Sequence, residues 1–236
     1  MKKIMFLCLI MPTFMVYGQR YKVPMNLPNY DKQKLHFGFL IGLNILDFKI
    51  MQNTQQEEQL FVIKSQDQKG FNLGIVSNYH LGRRFDLRAI PTLSLAERRI
   101  QYVFRQQEDA LEDYQFVEVN KKIESTFIEL PILIKYKSDR YNNGRAYLIT
   151  GLKYALDLAS QKNIDDENQQ IVKIKNHDFS YELGLGFDFY FPYFKFSPEL
   201  KAHFGVSNLK ADDDSVFSQS IKSLKTRGIT ISFTVE

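Results

Sequence analysis

From Leu35 the apolar side chains fall on every second position. Leu35, Phe37, Phe39, Ile41, Leu43 and Ile45 are separated by His36, Gly38, Leu40, Gly42 and Asn44. A period of two marks a β-strand with one apolar face, because successive side chains point to opposite sides of the pleat. The pattern returns over 71–81, 85–96, 124–136, 146–158, 179–191, 194–206 and 228–235. It is clearest where Phe179, Tyr181, Leu183, Leu185, Phe187 and Phe189 alternate with Ser180, Glu182, Gly184, Gly186 and Asp188. The pattern therefore predicts eight strands and no long helix.

The connections alternate in length. Tight turns are expected at Gly82-Arg83-Arg84, at Ser138 to Arg145 with Asn142-Asn143-Gly144, and at Phe191-Pro192-Tyr193. Long polar links are expected over Met51–Gly70, Arg105–Lys122, Ala159–Asp178 and Asn208–Ser223. An even strand number with short turns at one end and long loops at the other predicts an all-β fold. It is an eight-stranded antiparallel up-and-down transmembrane β-barrel with short periplasmic turns and long extracellular loops. A lipocalin would turn its apolar face inward, but eight inward faces of Phe and Leu would overfill so narrow a barrel. The apolar face is therefore assigned to lipid. His36, Asp86, Arg88, Glu129, Lys135, Lys153, Asp157, Glu182, Asp188, Lys195, Glu199, Lys201 and His203 are assigned to the interior as a network of paired charges.

Composition agrees with this reading. The 236 residues are 44% hydrophobic with a net charge of +4, which excludes a disordered polymer and lacks the basic footprint of a nucleic-acid binder. Aromatics make up 14% of the chain, all Phe and Tyr, a bias toward strand formers. At the N-terminus, Lys2 and Lys3 precede an apolar stretch from Ile4 to Val16, and Val16-Tyr17-Gly18 ends in a small residue. Residues 1–18 are read as a signal peptide, 19–34 as a periplasmic N-terminal segment and 35–236 as the outer-membrane β-barrel domain. Cys8 lies inside the apolar stretch, not at its end, so a lipoprotein anchor is not expected. Segment 19–34, with Pro24 and Pro28, reads as a docking arm or a disordered leader.

Candidate chemistry is thin. His203, Ser207 and Glu199 supply the residue types of a membrane-embedded hydrolase, yet any polar barrel interior offers such triples. His36, His80, His177 and His203 have no ligand spacing, and Asp165-Asp166-Glu167 and Asp212-Asp213-Asp214 match no calcium loop. Gly184 and Gly186 are read as room for inward neighbours, not as a phosphate loop. No catalytic, cofactor-binding or metal-binding residue is assigned, and no cofactor, nucleic acid or small-molecule substrate is expected. Membrane lipid is the expected partner.

Several stretches also carry a family resemblance. They are Asn29-Tyr30-Asp31, Leu35-His36-Phe37-Gly38-Phe39, Gly42-Leu43-Asn44, Phe127 to Tyr136, Gly151 to Asp157, Tyr181 to Tyr190, Lys195 to Lys201 and Gly205 to Asn208. Together they resemble the PorT family of outer-membrane β-barrels of the type IX secretion system. The resemblance runs from about residue 29 to the end of the sequence. It implies a barrel required for export of cargo with a C-terminal sorting domain, on which gliding motility and secreted proteases depend. The partners implied are other type IX components, with cargo contacted indirectly; no catalytic residues are implied. Since eight strands enclose a filled lumen, an accessory or assembly role is expected and not that of the pore. One departure is the ending Phe233-Thr234-Val235-Glu236, which lacks the terminal aromatic of many outer-membrane barrels. A structural or adhesion barrel and a lipid-modifying barrel enzyme remain the alternative functions.

Overall fold

The computed structural model describes residues 24–52, 60–66, 68–107, 114–158, 174–211 and 221–236. The proposed signal peptide, Cys8 and both acidic triplets lie outside the described residues. The strand segments are β1 (Leu35–Gln52), β2 (Leu60–Gln66), β3 (Gln68–His80), β4 (Phe85–Ala89), β5 (Thr92–Gln107), β6 (Tyr114–Lys137), β7 (Gly144–Asp157), β8 (His177–Tyr190), β9 (Lys195–Gly205) and β10 (Ile221–Val235).

These ten segments make eight walls. Both β2 and β3 run against β5, and both β4 and β5 run between β3 and β6, so each pair is one wall strand in two pieces. The second interruption falls at Ile90-Pro91, where proline has no N–H for the ladder. Its neighbours hold on, with Ile75 N–H donating to the Pro91 carbonyl at 3.0 Å and Ile90 N–H to the Pro131 carbonyl at 3.2 Å. Every pairing is antiparallel, and β1 closes the sheet by pairing with both β10 and β3. Closure leaves no sheet edge in lipid, as the absence of water there requires. Among the described residues no helix is long and apolar enough to cross a membrane; the strands make the crossing.

The side assignment holds throughout. On β1 the odd positions Leu35 to Ile45 are exposed while the even positions are buried. Leu35 to Ile45 extends about 34 Å along the strand, or about 25 Å along the normal at a tilt of roughly 40–45°, which matches the apolar band of an outer-membrane barrel. Aromatics gather at its rims, including Phe85–Tyr136 and Phe191–Phe194 at the turn end and Tyr154–Phe179 at the loop end.

The strands run past this band, which corrects two expectations. Much of Met51–Gly70 and Arg105–Lys122 is strand and not loop, as β1, β2, β5 and β6 show, and β10 begins at Ile221 instead of 228. The reason is a change in pattern at the lipid boundary. On β1 the outward residues pass from Leu43 and Ile45 to Asp47 and Lys49, while the inward ones pass from Gly42 and Asn44 to Leu46 and Phe48. Outside lipid the apolar side turns inward, so strands persist without an apolar outer face. An ion pair marks the boundary, with Arg227 Nε and Nη2 donating to Asp47 Oδ2 at 2.7 and 2.5 Å. Above it Phe48, Ile63, Ile100, Tyr102, Ile174, Leu209, Ile221 and Leu224 form an apolar core inside the outer end. The interior is thus layered, not polar throughout; Leu40, Val76, Ile90 and Leu133 form a further apolar layer within the membrane part.

Arginine at position 41 tests the lipid assignment. Ile41→Arg near the middle of the band is expected to destabilise the barrel by about 2–4 kcal/mol, against about 0–1 kcal/mol for Leu35→Arg at its rim. Reversible denaturant unfolding in phospholipid vesicles measures both, and equal penalties would contradict the placement.

Candidate functional site

The turn end of the barrel is closed by the chain's own N-terminal segment. Pro24 to Lys34 crosses the mouth as a strap with a single 3-10 turn, Tyr30–Lys32. The turn is made by Lys32 N–H to the Asn29 carbonyl at 3.1 Å and Gln33 N–H to the Tyr30 carbonyl at 3.3 Å, and Tyr30 N–H to the Leu27 carbonyl at 3.1 Å closes the bend that leads into it. Leu27 enters it at φ 46°, a left-handed conformation unfavourable for a bulky residue by about 1–2 kcal/mol. The β6–β7 turn holds it there. Asn26 N–H donates to Asn143 Oδ1 at 2.9 Å, Asn143 Nδ2 donates to the Pro24 carbonyl at 3.0 Å, and Arg140 donates to the Asn26 carbonyl and to Asn143 Oδ1.

Tyr30 is the plug. Its ring stacks on His36 with centroids 3.8 Å apart, meets Tyr190 edge-on at 5.7 Å and lies 4.6 Å from Lys195 Nζ. Its hydroxyl donates to Glu236 Oε2 at 2.9 Å. Burial, then the Glu236 charge and this hydrogen bond, push the phenol far above its ordinary range, so it stays a neutral donor. Beside it Arg145 Nη1 and Nη2 grip Asp31 Oδ1 and Oδ2 at 3.1 and 2.5 Å.

Below the strap the lumen is filled by ion pairs. Lys137 Nζ lies 2.6 Å and His80 Nδ1 2.7 Å from Asp86 Oδ1. Lys135 Nζ donates to both Asp188 oxygens at 2.8 and 2.9 Å, and Ser197 adds a third bond at 2.7 Å. Arg88 joins Glu199 and, at 3.5 Å, Glu236 Oε1, while Lys195 Nζ approaches Glu236 Oε2 at 3.0 Å. Nearer the loop end Lys153 lies between Glu129 at 3.2 Å and Glu182 at 3.4 Å. Every residue assigned to the interior from the sequence is buried. Gly186 makes room as expected: a Cβ there would come within 2.4 Å of the Tyr147 ring, whose hydroxyl reaches Glu199 Oε1 at 2.8 Å.

The residues of the hydrolase triple do not meet. Glu199 serves Arg88 and Tyr147, whereas His203 lies four positions along β9, about 13 Å away by strand rise. Ser207 accepts a bond from Phe179 N–H at 3.0 Å beyond the strand end. Neither His203 ring nitrogen has a hydrogen-bond partner among the described residues. His36 and His80 share the strapped mouth, and His177 bonds Tyr154 at the other end. Sequence reasoning missed Tyr30, Asp31, Lys137, Arg145 and Glu236 as site residues. Lys137 follows Tyr136 in the β6 alternation and so carried an inward signal; Tyr30 and Asp31 precede every strand and carried no periodic signal.

A closed eight-stranded barrel with an apolar band, a filled interior and a strapped mouth is an outer-membrane barrel protein. The chain belongs to the outer membrane protein beta-barrel domain family, which matches residues 24–211. Solved structures similar to it include OprG from Pseudomonas aeruginosa, at 10% identity and TM-score 0.45, covering 86% of this chain and 94% of that one. Neisserial surface protein A is similar at 10% identity and TM-score 0.42, covering 86% and 99%. Ail from Yersinia pestis is similar at 13% identity and TM-score 0.38, covering 86% and 99%. No curated protein matches the chain.

Asp31 makes the strap sensitive to acid. Burial raises its carboxyl, but the Arg145 hydrogen bonds and the charges of Arg145, Lys137 and His80 outweigh this and hold it below the ordinary aspartate value. A carboxyl more acidic in the docked strap than in the released one stabilises docking above the ordinary value near 3.9, and that stability is lost as pH falls through the docked value. A nitroxide on Met25→Cys in a Cys8→Ser background should therefore stay immobile from about pH 8 to 5 and loosen below about pH 4. Loosening centred near pH 6.5 would assign the switch to histidine instead.

Proposed function

We propose that this chain is a non-enzymatic outer-membrane barrel required for protein secretion by a type IX system, acting as an accessory or assembly factor and not as the conduit. The observation that carries the second half is the closed mouth over a filled lumen: Tyr30 is bonded to Glu236 above the Arg88, Lys135 and Lys195 ion pairs. A polypeptide has no path through side chains packed this way, so a part in export is played by the outer surfaces, the turns or the strap. The first half rests on the resemblance to PorT proteins. Its quoted strings fall on the strap and on β1, β6, β7, β8 and β9.

Deleting the gene tests it. Cargo bearing the C-terminal sorting domain should accumulate in the periplasm and fall in the medium, by mass spectrometry, while other outer-membrane proteins keep their levels. Unchanged secretion would overturn the reading. A second reading, a surface adhesion or structural barrel, is favoured by β5 and β6, which pair from Gln107–Tyr114 down to Thr92–Glu129 and so stand well above the lipid boundary. Altered surface binding with intact secretion would select it.

A further inference from the structure

Beside the strap lies an open groove whose floor shares residues with the packing of the mouth and whose rim does not. It has a volume of about 540 Å³, within the range of pockets that hold a ligand of modest size, and it opens between the strap and the turns after β3 and β6. Six basic side chains line it against two carboxylates. Lys32 and Lys34 come from the strap, Arg83 and Arg140 from the turns, and Lys137 and Arg145 from the wall.

Both carboxylates are already occupied. Asp31 is held by Arg145, and Asp139 lies 3.0 Å from Arg83 and 3.4 Å from Arg84. The exposed Lys32 and Lys34 have no ion-pair partner among the described residues. Arg83 keeps most of its guanidinium in solvent, its side chain being 81% exposed although paired. Lys137 and Arg145 on the floor are paired with Asp86 and Asp31, so the surplus positive charge is that of Lys32, Lys34 and the turn arginines around the rim, at the end that faces the periplasm in barrels of this class.

We propose that this groove binds an acidic segment of a periplasmic polypeptide. Its charge asks for carboxylates or phosphates, and its position decides between them. Lys137 and Arg145 belong to the inward face of the wall, with side chains 3% and 6% exposed, so part of the groove floor lies on the lumen side of the strands. A lipid headgroup stacked against the outer wall does not reach that floor. An extended acidic peptide entering from the periplasm does, and its carboxylates can bridge strap and turns with charge-assisted hydrogen bonds.

The test uses the full barrel in nanodiscs of zwitterionic lipid and a fluorescein-labelled peptide of alternating Glu and Ser. Fluorescence polarisation should show binding that weakens steeply with salt. The Gln-for-Glu peptide should bind at least tenfold more weakly, as should the acidic peptide to Lys32→Glu/Lys34→Glu. Both lysines are exposed, so the double variant keeps the fold, and a photo-cross-linker replacing Leu81 on the groove wall should capture the acidic peptide. Equal binding of the two peptides, or an unchanged affinity in the double variant, would overturn the proposal. So would charge reversal that abolishes association with phosphatidylglycerol vesicles but leaves peptide binding intact, since that assigns the groove to lipid. The inference stands apart from the secretion reading: peptide binding with normal secretion on gene deletion keeps the groove and removes only that reading.

Discussion

Arg88→Met should weaken the barrel by about 3–5 kcal/mol, the loss that follows when one partner of a buried ion pair is removed. Arg88 is fully buried, donates to Glu199 and lies 3.5 Å from Glu236 Oε1. Methionine fills much of the same volume, so the loss is electrostatic and not a cavity. Glu199 keeps its bond from the Tyr147 hydroxyl at 2.8 Å and a more distant Lys201 at 3.6 Å, while Glu236 keeps Lys195 at 3.0 Å. Neither set replaces a guanidinium between two carboxylates in a medium that screens poorly. If this is the cause, neutralising the stranded partner should repair it: Arg88→Met with Glu199→Gln should recover more than half of the loss. Urea unfolding in phospholipid vesicles gives both values. A single variant as stable as the parent would show that the network is not structural, and a double variant no better than the single would show that the arginine acts by shape.

What the sequence could show was what repeats. Leu35 to Ile45 and Phe179 to Phe189 announce strands because lipid favours apolar residues at the outward positions, and the charges between them then have only the interior to occupy. The same reasoning hid the outer ends. Beyond Asp47 and Glu97 polar residues such as Lys49, Arg99 and Gln101 take outward positions while Phe48, Ile100 and Tyr102 are buried inside, so a search for apolar outer faces stops where the membrane stops, although the ladder continues to Gln52 and Gln107. Pro91 divides a wall strand in the hydrogen-bond pattern without shifting its register, since Ala89 and Thr92 keep successive partners on β6 at Ile132 and Glu129. The strap was less legible. Tyr30 meets Glu236 across 206 positions and Asp31 meets Arg145 across 114, contacts that no local period encodes. Glu236 read as a missing terminal aromatic because its partners, Arg88 and Lys195, become neighbours only once the barrel closes.

Truncating Tyr30 should open the strap without unfolding the barrel. Tyr30→Ala removes a buried ring packed against His36, Tyr190 and Lys195, and large-to-small changes of aromatic side chains cost about 3 kcal/mol or more. The loss is local, because the apolar core of Phe48, Ile100 and Tyr102 lies at the opposite end and shares no residue with the strap. It should appear in native-state hydrogen exchange at the Tyr30, Lys32 and His80 amides. The first closes the bend before the 3-10 turn, the second closes that turn, and the last donates to the Lys34 carbonyl at 2.8 Å. A 3 kcal/mol loss corresponds to roughly a hundredfold faster exchange at those sites. Tyr30→Phe separates ring from hydroxyl. It keeps the stack but removes the donor to Glu236, a bond to a charged group worth about 1.5 kcal/mol or more, so exchange should quicken roughly tenfold. Equal effects of the two variants would place the anchor in the Glu236 bond alone, and no effect of either would leave the strap held by Asp31 and Asn26. In the expected order, Ala well above Phe and both above the parent, the ring supplies most of the hold and the hydroxyl fixes its orientation over the carboxylate.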